Sequence, residues 1–171
     1  MKKFLFSEKS ISWLPAESIS EAYLSDKMPP LELCVSTYSI TFKNGSLLMS
    51  DLREGERPVR MLDIPGGHIE KEEMPEESVI RETFEETGVH IKVLKLVAYK
   101  KITFNKPKPE GWPYPYPLSY MLFYLCEVVE ETSFEGNNDT HGRVWLSQKE
   151  FNKSPWYLQN KILIEEIVKN K

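Results

Sequence analysis

Between Pro65 and Val89 the chain reads PGGHIEKEEMPEESVIRETFEETGV, a Gly-Gly turn followed by eight glutamates against two basic residues, Lys71 and Arg81. No other stretch constrains the fold as tightly. Pro65 and the two glycines interrupt regular structure, so a loop is expected over 65–73. Pro75 suits the first turn of a helix, where its missing N–H is not needed. Gly88 closes that helix as a C-cap. Counting about 100° per residue, Val79, Ile80, Thr83, Phe84 and Thr87 form an apolar face lying on a core. Glu82, Glu85 and Glu86 then share the opposite face within about 100° of arc. Like charges one turn apart repel. A bound cation removes the conflict, and glutamate oxygens suit hard ions such as magnesium or manganese. Arg81 can hold a carboxylate beside them through a bidentate contact. The competing expectation is a solvated acidic face with no site.

The spacing decides between these. Gly67, five residues, Glu73, seven residues, Arg81-Glu82, two residues, Glu85-Glu86, one residue and Gly88 resembles the Nudix box, with all seven fixed positions matched. Thr83 departs from the aliphatic residue usual there, and Met74 is a poor N-cap residue. The resemblance implies an α/β/α sandwich with a mixed β-sheet, the box forming a loop–helix–loop at its active edge. It implies metal ligation by Glu82, Glu85 and Glu86, with the Gly67 carbonyl as a further ligand. Glu73 would assist, and Arg81 would orient a glutamate. The general base in this family is a box glutamate or an acid on a later loop. Glu85 is the first candidate here and Asp139 the second; Glu135 and His141 lie in the same later loop.

The implied reaction is metal-dependent hydrolysis of a phosphoanhydride in a nucleoside diphosphate linked to another moiety, of the nucleoside triphosphate or dinucleotide class. A phosphoanhydride resists water because its oxygens are negative, and divalent ions neutralise that charge and activate the water. The alternative is a Nudix-like nucleotide-binding or regulatory domain without turnover. Retention of every box glutamate favours the enzyme.

Charge and composition narrow the partners. Residues 63–86 hold nine acids and two bases, leaving 17 acids and 20 bases elsewhere. Acid concentrated at one site suits a metal-bridged phosphate on a small nucleotide, whereas a nucleic-acid polymer calls for a basic stripe. No apolar run is long enough to span a membrane. MKKFLFSEKS is too short an apolar start for a signal peptide. Cys34 and Cys126 each sit in an apolar run and read as buried free thiols. A cytoplasmic location is expected.

In chain order, residues 1–31 read as an N-terminal extension with a short helix over Ala16–Leu24, packed on its own domain or on a second subunit of a homodimer. The domain proper spans 32–171. LELCVSTYSITF, Asn44-Gly45 and SLLMS form a hairpin. The charged loop after it offers Arg53 and Arg57 to a substrate phosphate, although such loops are more often solvated. MLDIP is a short buried strand. Residues 91–104 are one strand or two, 119–130 another, and RVWLS a last one. Gln148–Asn152 form a helical turn, and Ser154-Pro155 open a C-terminal helix with a stripe of Leu163, Ile164, Ile167 and Val168.

PYPYPLSYM (113–121) resembles PWPFPxSLM, the segment following the box in NADH pyrophosphatases. The Ser-Gln that precedes it there is Gly111-Trp112 here, and the four-cysteine zinc module is absent. The likeness implies a nucleobase-stacking loop with Trp112, Tyr114 and Tyr116. Equally open is a proline-stiffened loop whose aromatics cover the core or a dimer partner.

Overall fold

The computed structural model describes residues 2–9, 17–53 and 61–170. The strands are β1 (Lys2–Lys9), β2 (Ser18–Ser25), β3 (Cys34–Lys43), β4 (Ser46–Leu52), β5 (Met61–Asp63), β6 (Gly66–His68), β7 (Val89–Phe104), β8 (Leu118–Glu131) and β9 (Thr140–Leu146). Two helices, α1 (Pro75–Thr87) and α2 (Pro155–Lys169), complete the frame, with short 3-10 turns at Leu31–Leu33 and Gln148–Lys153. Among the described residues the strands form one sheet in the order β1-β2-β7-β8-β3-β4-β5. β6 pairs with β3, and β9 with β4. β3 runs parallel to β8, and the remaining pairs are antiparallel, so the sheet is mixed.

β8 shows how the sheet carries a layer on each side. Its side chains alternate between faces. Met121, Phe123 and Leu125 enter one core with Tyr157, Leu163, Ile164 and Ile167. Leu122, Tyr124 and Cys126 enter the other with Val79 and Val89. α2 therefore covers one face and α1 the other. This is the expected α/β/α sandwich.

Asn44-Gly45 turns the β3–β4 hairpin with both residues at positive φ, and residues 89–104 form one strand rather than two. His90/Ile91, Val93/Lys95 and Leu96/Ala98 mark irregularities in its pairing with β8.

Three expectations need correction. The described part of the N-terminal segment contains no helix. Ser18–Ser25 is a strand that pairs with β1 on one side and β7 on the other. Its buried positions are Ser18, Ser20, Ala22 and Ser25. Small polar residues point inward, so the segment lacks the apolar alternation that marks a strand. Ala16 and Arg57 lie outside the described residues. Second, Gly66–His68 is a short strand against β3, so the loop is confined to the residues after it. Third, Val168 is exposed while Leu163, Ile164 and Ile167 are buried.

Ser154 links α2 to the sheet. Its buried hydroxyl accepts from the Tyr157 N–H at 3.1 Å and donates to the Leu62 carbonyl at 3.1 Å. It thus caps α2 and fixes it to β5. Ser154→Ala should cost about 1–2 kcal/mol, seen as a lower urea midpoint with an unchanged denaturant slope.

Candidate active site

α1 begins without a side-chain cap from Met74, and Glu77 compensates by accepting the Met74 N–H at 2.9 Å. The helix ends at Gly88, whose left-handed φ of 66° stops it. Its last carbonyls are met from the β8–β9 loop and from β9. Asn137 Nδ2 donates to Glu85 O at 2.8 Å, and Arg143 donates to Thr87 O at 2.9 Å. Thr83 is fully buried, its hydroxyl donating to Val79 O at 2.6 Å, so the departure from an aliphatic residue leaves no polar group stranded. Thr37 Oγ1 donates to Ser78 Oγ at 3.0 Å and pins the helix to β3.

The buried face of α1 is Pro75, Ser78, Val79, Thr83 and Thr87. Ile80 and Phe84 are 39% and 38% exposed, Phe84 stacking on His90 at 4.4 Å. The helix is thus turned away from the orientation expected from its apolar residues. Glu82 and Glu86 are not opposite the buried face but on its margin, facing β6. Only Glu85 projects freely, with 54% of its side chain exposed against 16% for Glu82.

Two glycines make this approach possible. The Gly66 N–H donates to Glu86 Oε2 at 3.2 Å. At Gly67 a Cβ would lie 2.5 Å from Glu82 Oε1, and at Gly66 one would lie 2.2 Å from the Thr37 carbonyl. At Gly66 no side chain fits against β3, and at Gly67 one fits only if the Glu82 carboxylate moves aside.

Arg81 organises the acids around it. Its Nε donates to Glu73 Oε1 at 2.8 Å, and Nη2 to Glu73 Oε2 at 3.0 Å and to the His68 carbonyl at 3.1 Å. Nη1 reaches Glu82 at 2.9 Å and Glu85 at 3.1 Å. Contact with Arg81 holds Glu73 below its ordinary value. Glu86 lies deeper. Burial, reinforced by Glu82 and Asp63, pushes it up to about 8 despite the Gly66 N–H. Glu82 is also raised, chiefly by burial, and desolvation pushes half-buried Asp63 up to about 7.

Among the described residues, no three His, Cys, Asp or Glu side chains converge to hold a metal ion as they stand. The donor set nevertheless fits a hard cation. Glu82 and Glu86 are half-buried carboxylates one turn apart beside a backbone that no Cβ obstructs, and the Arg81 guanidinium holds Glu82 in place.

From Gly66, Gly67 and His68 a cavity of about 870 Å³ runs beneath α2 to Trp156 and Asn160. Trp112 and Tyr114 line it, and Tyr114 stacks on His68 at 4.6 Å and 7°. Tyr116 does not reach it. Its ring stacks on Phe104 at 5.1 Å and packs against the core, as Trp112 also does. Arg53 is not among the cavity-lining residues either; it is exposed, and its N–H donates to the Asp139 carbonyl at 2.8 Å. Asp139 is exposed in a loop tied to α1 through Asn137. Glu135 is exposed in the same loop, whereas His141 is exposed on β9 and not in the loop expected for it. Sequence reasoning missed His68, Asp63 and Asn160. A polar Asn160 in an otherwise apolar helix stripe was the one local signal.

Glu86 makes stability depend on pH. Its folded value of about 8 exceeds the ordinary 4.5. The folded state therefore binds the proton more tightly, and stability falls as pH rises through that interval. In metal-free protein, Glu86→Gln should be the more stable form by on the order of 2 kcal/mol above pH 8, the difference fading toward pH 4.5. Thermal melts across pH check this. Magnesium should raise the wild-type melting temperature at high pH and leave that of the variant nearly unchanged.

No curated protein matches the sequence. A family model of the NUDIX domain matches residues 32–167. Among solved structures, a point mutant of a Bacillus subtilis pyrophosphohydrolase superposes with a TM-score of 0.64 at 21% identity, covering 88% of this chain and 89% of that one. A NUDIX hydrolase from Nitrosomonas europaea gives 0.62 at 18% identity, covering 80% and 89%. A C. elegans Ap4A hydrolase gives 0.53 at 13% identity, covering 78% and 95%. At these identities the structural likeness speaks for the fold, and the sequence match over well more than half of the chain speaks for descent: the protein belongs to the NUDIX domain family.

Proposed function

We propose that the protein is a divalent-metal-dependent pyrophosphohydrolase acting on a nucleoside diphosphate linked to a further group. The observation that carries the reading is the placement of Glu82 and Glu86 over Gly66–Gly67, two glycines that also line a cavity whose walls include Trp112 and Tyr114. Carboxylates beside the glycines and aromatic rings on the cavity wall match a phosphate chain joined to a base. The pyrophosphohydrolase and Ap4A hydrolase among the fold neighbours support the reaction class.

Glu82 and Glu86, with the Gly67 carbonyl and Glu85, are the residues that would hold magnesium or manganese. When bound, such an ion supplies neutralisation of the phosphate oxygens and activation of water. The chain's own groups do the positioning. Arg81 orients Glu82 and Glu85. Glu73 fixes Arg81. Glu85, the most exposed of the box carboxylates near the site, is the candidate proton acceptor, and Asp139 the alternative on the neighbouring loop. Tyr114, stacked on His68, and Trp112 offer faces for a base. Among the described residues no helix is long and apolar enough to cross a membrane. A cytoplasmic location belongs to the proposal through its substrates, which are small nucleotides.

The test is product release from unmodified and oxidised nucleoside triphosphates, ADP-ribose, NADH, diadenosine polyphosphates and sugar nucleotides, each with magnesium, manganese or chelator. Metal-dependent release from at least one is expected. Its absence from every substrate, in folded protein that binds metal, would replace the enzyme with a binding domain. Glu86→Gln should lower kcat at least about 100-fold. Gly67→Ala is a sharper probe. The backbone at Gly67 tolerates a side chain, but the new Cβ displaces the Glu82 carboxylate. It should cut activity about tenfold or more while shifting the melting temperature by only about 2 °C; a large loss of stability would mean that the carboxylate cannot move aside.

A further inference from the structure

β1 and β7 bring a charged pair to the cavity that the proposed hydrolysis leaves idle. Lys100 lies on β7 between Ala98 and Ile102, both core residues on the face that α2 covers. It is 8% exposed, and a lysine so buried calls for a partner. Its Nζ donates to Glu8 Oε1, on β1, at 2.8 Å and stands 5.6 Å from the Phe6 ring. Among the described residues this is the one side-chain hydrogen bond that either residue makes. β1 is already paired with β2 along its length, and a buried ion pair adds little stability over apolar side chains of the same volume. Attachment of β1 therefore does not account for the pair. Glu8 and Lys100 both line the cavity that Gly66 and Gly67 also line. Both side chains keep accessible surface, 35% for Glu8 and 10% for Lys100. A donor and an acceptor thus stand side by side on the cavity wall.

We propose that the Glu8–Lys100 pair binds a vicinal diol on a sugar of the substrate. The proposal rests on the reading that the diphosphate attached to that sugar lies at Gly66–Gly67. His68, Ser36, Met121 and Lys100 are partners in one row across β6, β3, β8 and β7. Three strand spacings of about 4.8 Å put the ends of that row about 14 Å apart. A phosphate chain alone is too short to bridge it, and a diphosphate carrying a sugar extends toward Lys100. The chemistry of the pair selects among the groups such a substrate carries. The ammonium has three N–H donors and directs one to Glu8, while the carboxylate has a second oxygen that only accepts. A phosphomonoester placed on Lys100 would meet the Glu8 charge, and like charges at that range repel. A hydroxyl both donates and accepts. Two adjacent hydroxyls can therefore donate to Glu8 and accept from Lys100 without adding charge to a desolvated wall. Sites built to hydrogen-bond a substrate hydroxyl discriminate against the analogue lacking it, because the protein's own polar groups are left unpaired.

The experiment compares matched ligands differing in one hydroxyl: ATP with 2′-deoxy-ATP and 3′-deoxy-ATP, and UDP-glucose with UDP-2-deoxyglucose. The first set reports on the sugar of the nucleoside, the second on a sugar beyond the diphosphate. Competing hydrolysis gives the kcat/KM ratio within each set. In parallel, tryptophan fluorescence titrations in chelator, with Trp112 and Trp156 on the cavity wall, give binding ratios that need no turnover. Wild type should prefer the hydroxylated member of at least one set by about tenfold or more. Lys100→Met should bring that ratio to within about twofold of one, and Glu8→Gln, which keeps an acceptor, should retain a preference. Glu8→Leu, on the edge strand, should show the same loss and serves if Lys100→Met fails to fold. Adenosine 3′,5′-bisphosphate tests the competing ligand: binding tighter than that of AMP, and strengthened by Glu8→Gln, would make the pair a phosphate site and overturn the assignment. Equal treatment of hydroxylated and deoxy forms by wild type, or a preference that survives in the folded Lys100→Met or Glu8→Leu variant, overturns it as well. A hydroxyl preference in binding that depends on the pair, without hydrolysis of any substrate, would uphold the assignment and refute the enzyme. Hydrolysis without any such preference would do the reverse.

Discussion

The approach of α1 to β6 is the contact on which the rest of the structure depends. Glutamates are placed where a helix would ordinarily bury apolar side chains, and this is tolerable only because the facing strand is Gly66-Gly67. With a Cβ at Gly67 the Glu82 carboxylate has no room, and with one at Gly66 the strand cannot lie against Thr37. The same geometry sets the rotation of the helix. Turning Glu82 and Glu86 inward carries Ile80 and Phe84 outward, where Phe84 finds His90 instead of the core. The thirteen residues of α1 thus give up part of their hydrophobic burial to hold acids near the sheet. The Thr37–Ser78 hydrogen bond and the caps at both ends are local compensation.

The cavity is a consequence of the sheet having two covered faces. The period of two along β8 sends Met121 and Phe123 toward α2 and Leu122 and Tyr124 toward α1. The Gly66-Gly67 strand sits at the β3 side of the sheet, so its residues border both the carboxylates on α1 and the space under α2. Ser154 sets how α2 stands over β5, through Leu62. The Trp112–Tyr116 loop closes the side, with Tyr116 anchored on Phe104 and Tyr114 presented over His68. One segment therefore supplies both an anchor and a cavity wall. Its aromatic residues look alike in sequence and differ only in what the fold puts beneath them.

That distinction marks how far the sequence could be read. The box was legible because its logic is local: Pro75, Gly88 and the spacing of the glutamates all act within a few turns of one helix. The hairpin at Asn44-Gly45 and the Ser154 cap were legible for the same reason. β2 was not, because its inward residues are Ser18, Ser20 and Ala22; only pairing with β1 and β7 makes it a strand, and β7 is distant in sequence. The rotation of α1 was also hidden, since periodicity weighs Ile80 and Phe84 as core and cannot foresee glycines opposite Glu82. Asn160 and Asp63 border the cavity by tertiary placement alone.

The carboxylates of the site, though chemically alike, are sorted by what surrounds them. Glu73 accepts from two guanidinium nitrogens and from the Glu70 N–H. A carboxylate so satisfied is a weak proton acceptor and a good fixed charge. Glu86 is the opposite case, buried beside other acids with one backbone donor, and therefore the group with most to gain from a cation. Glu82 stands between them, half-buried and sharing Arg81 with Glu85. Arg81 itself is raised well above its ordinary value, first by Glu73, so it neither gives nor takes a proton. It works as a permanent positive charge that spaces the acids. Glu85 is left as the carboxylate with the greatest freedom, touching Arg81 at 3.1 Å with more than half of its side chain exposed. Freedom of that kind accords with the proposed role of Glu85 as proton acceptor, and the deeper acids with the proposed ion binding.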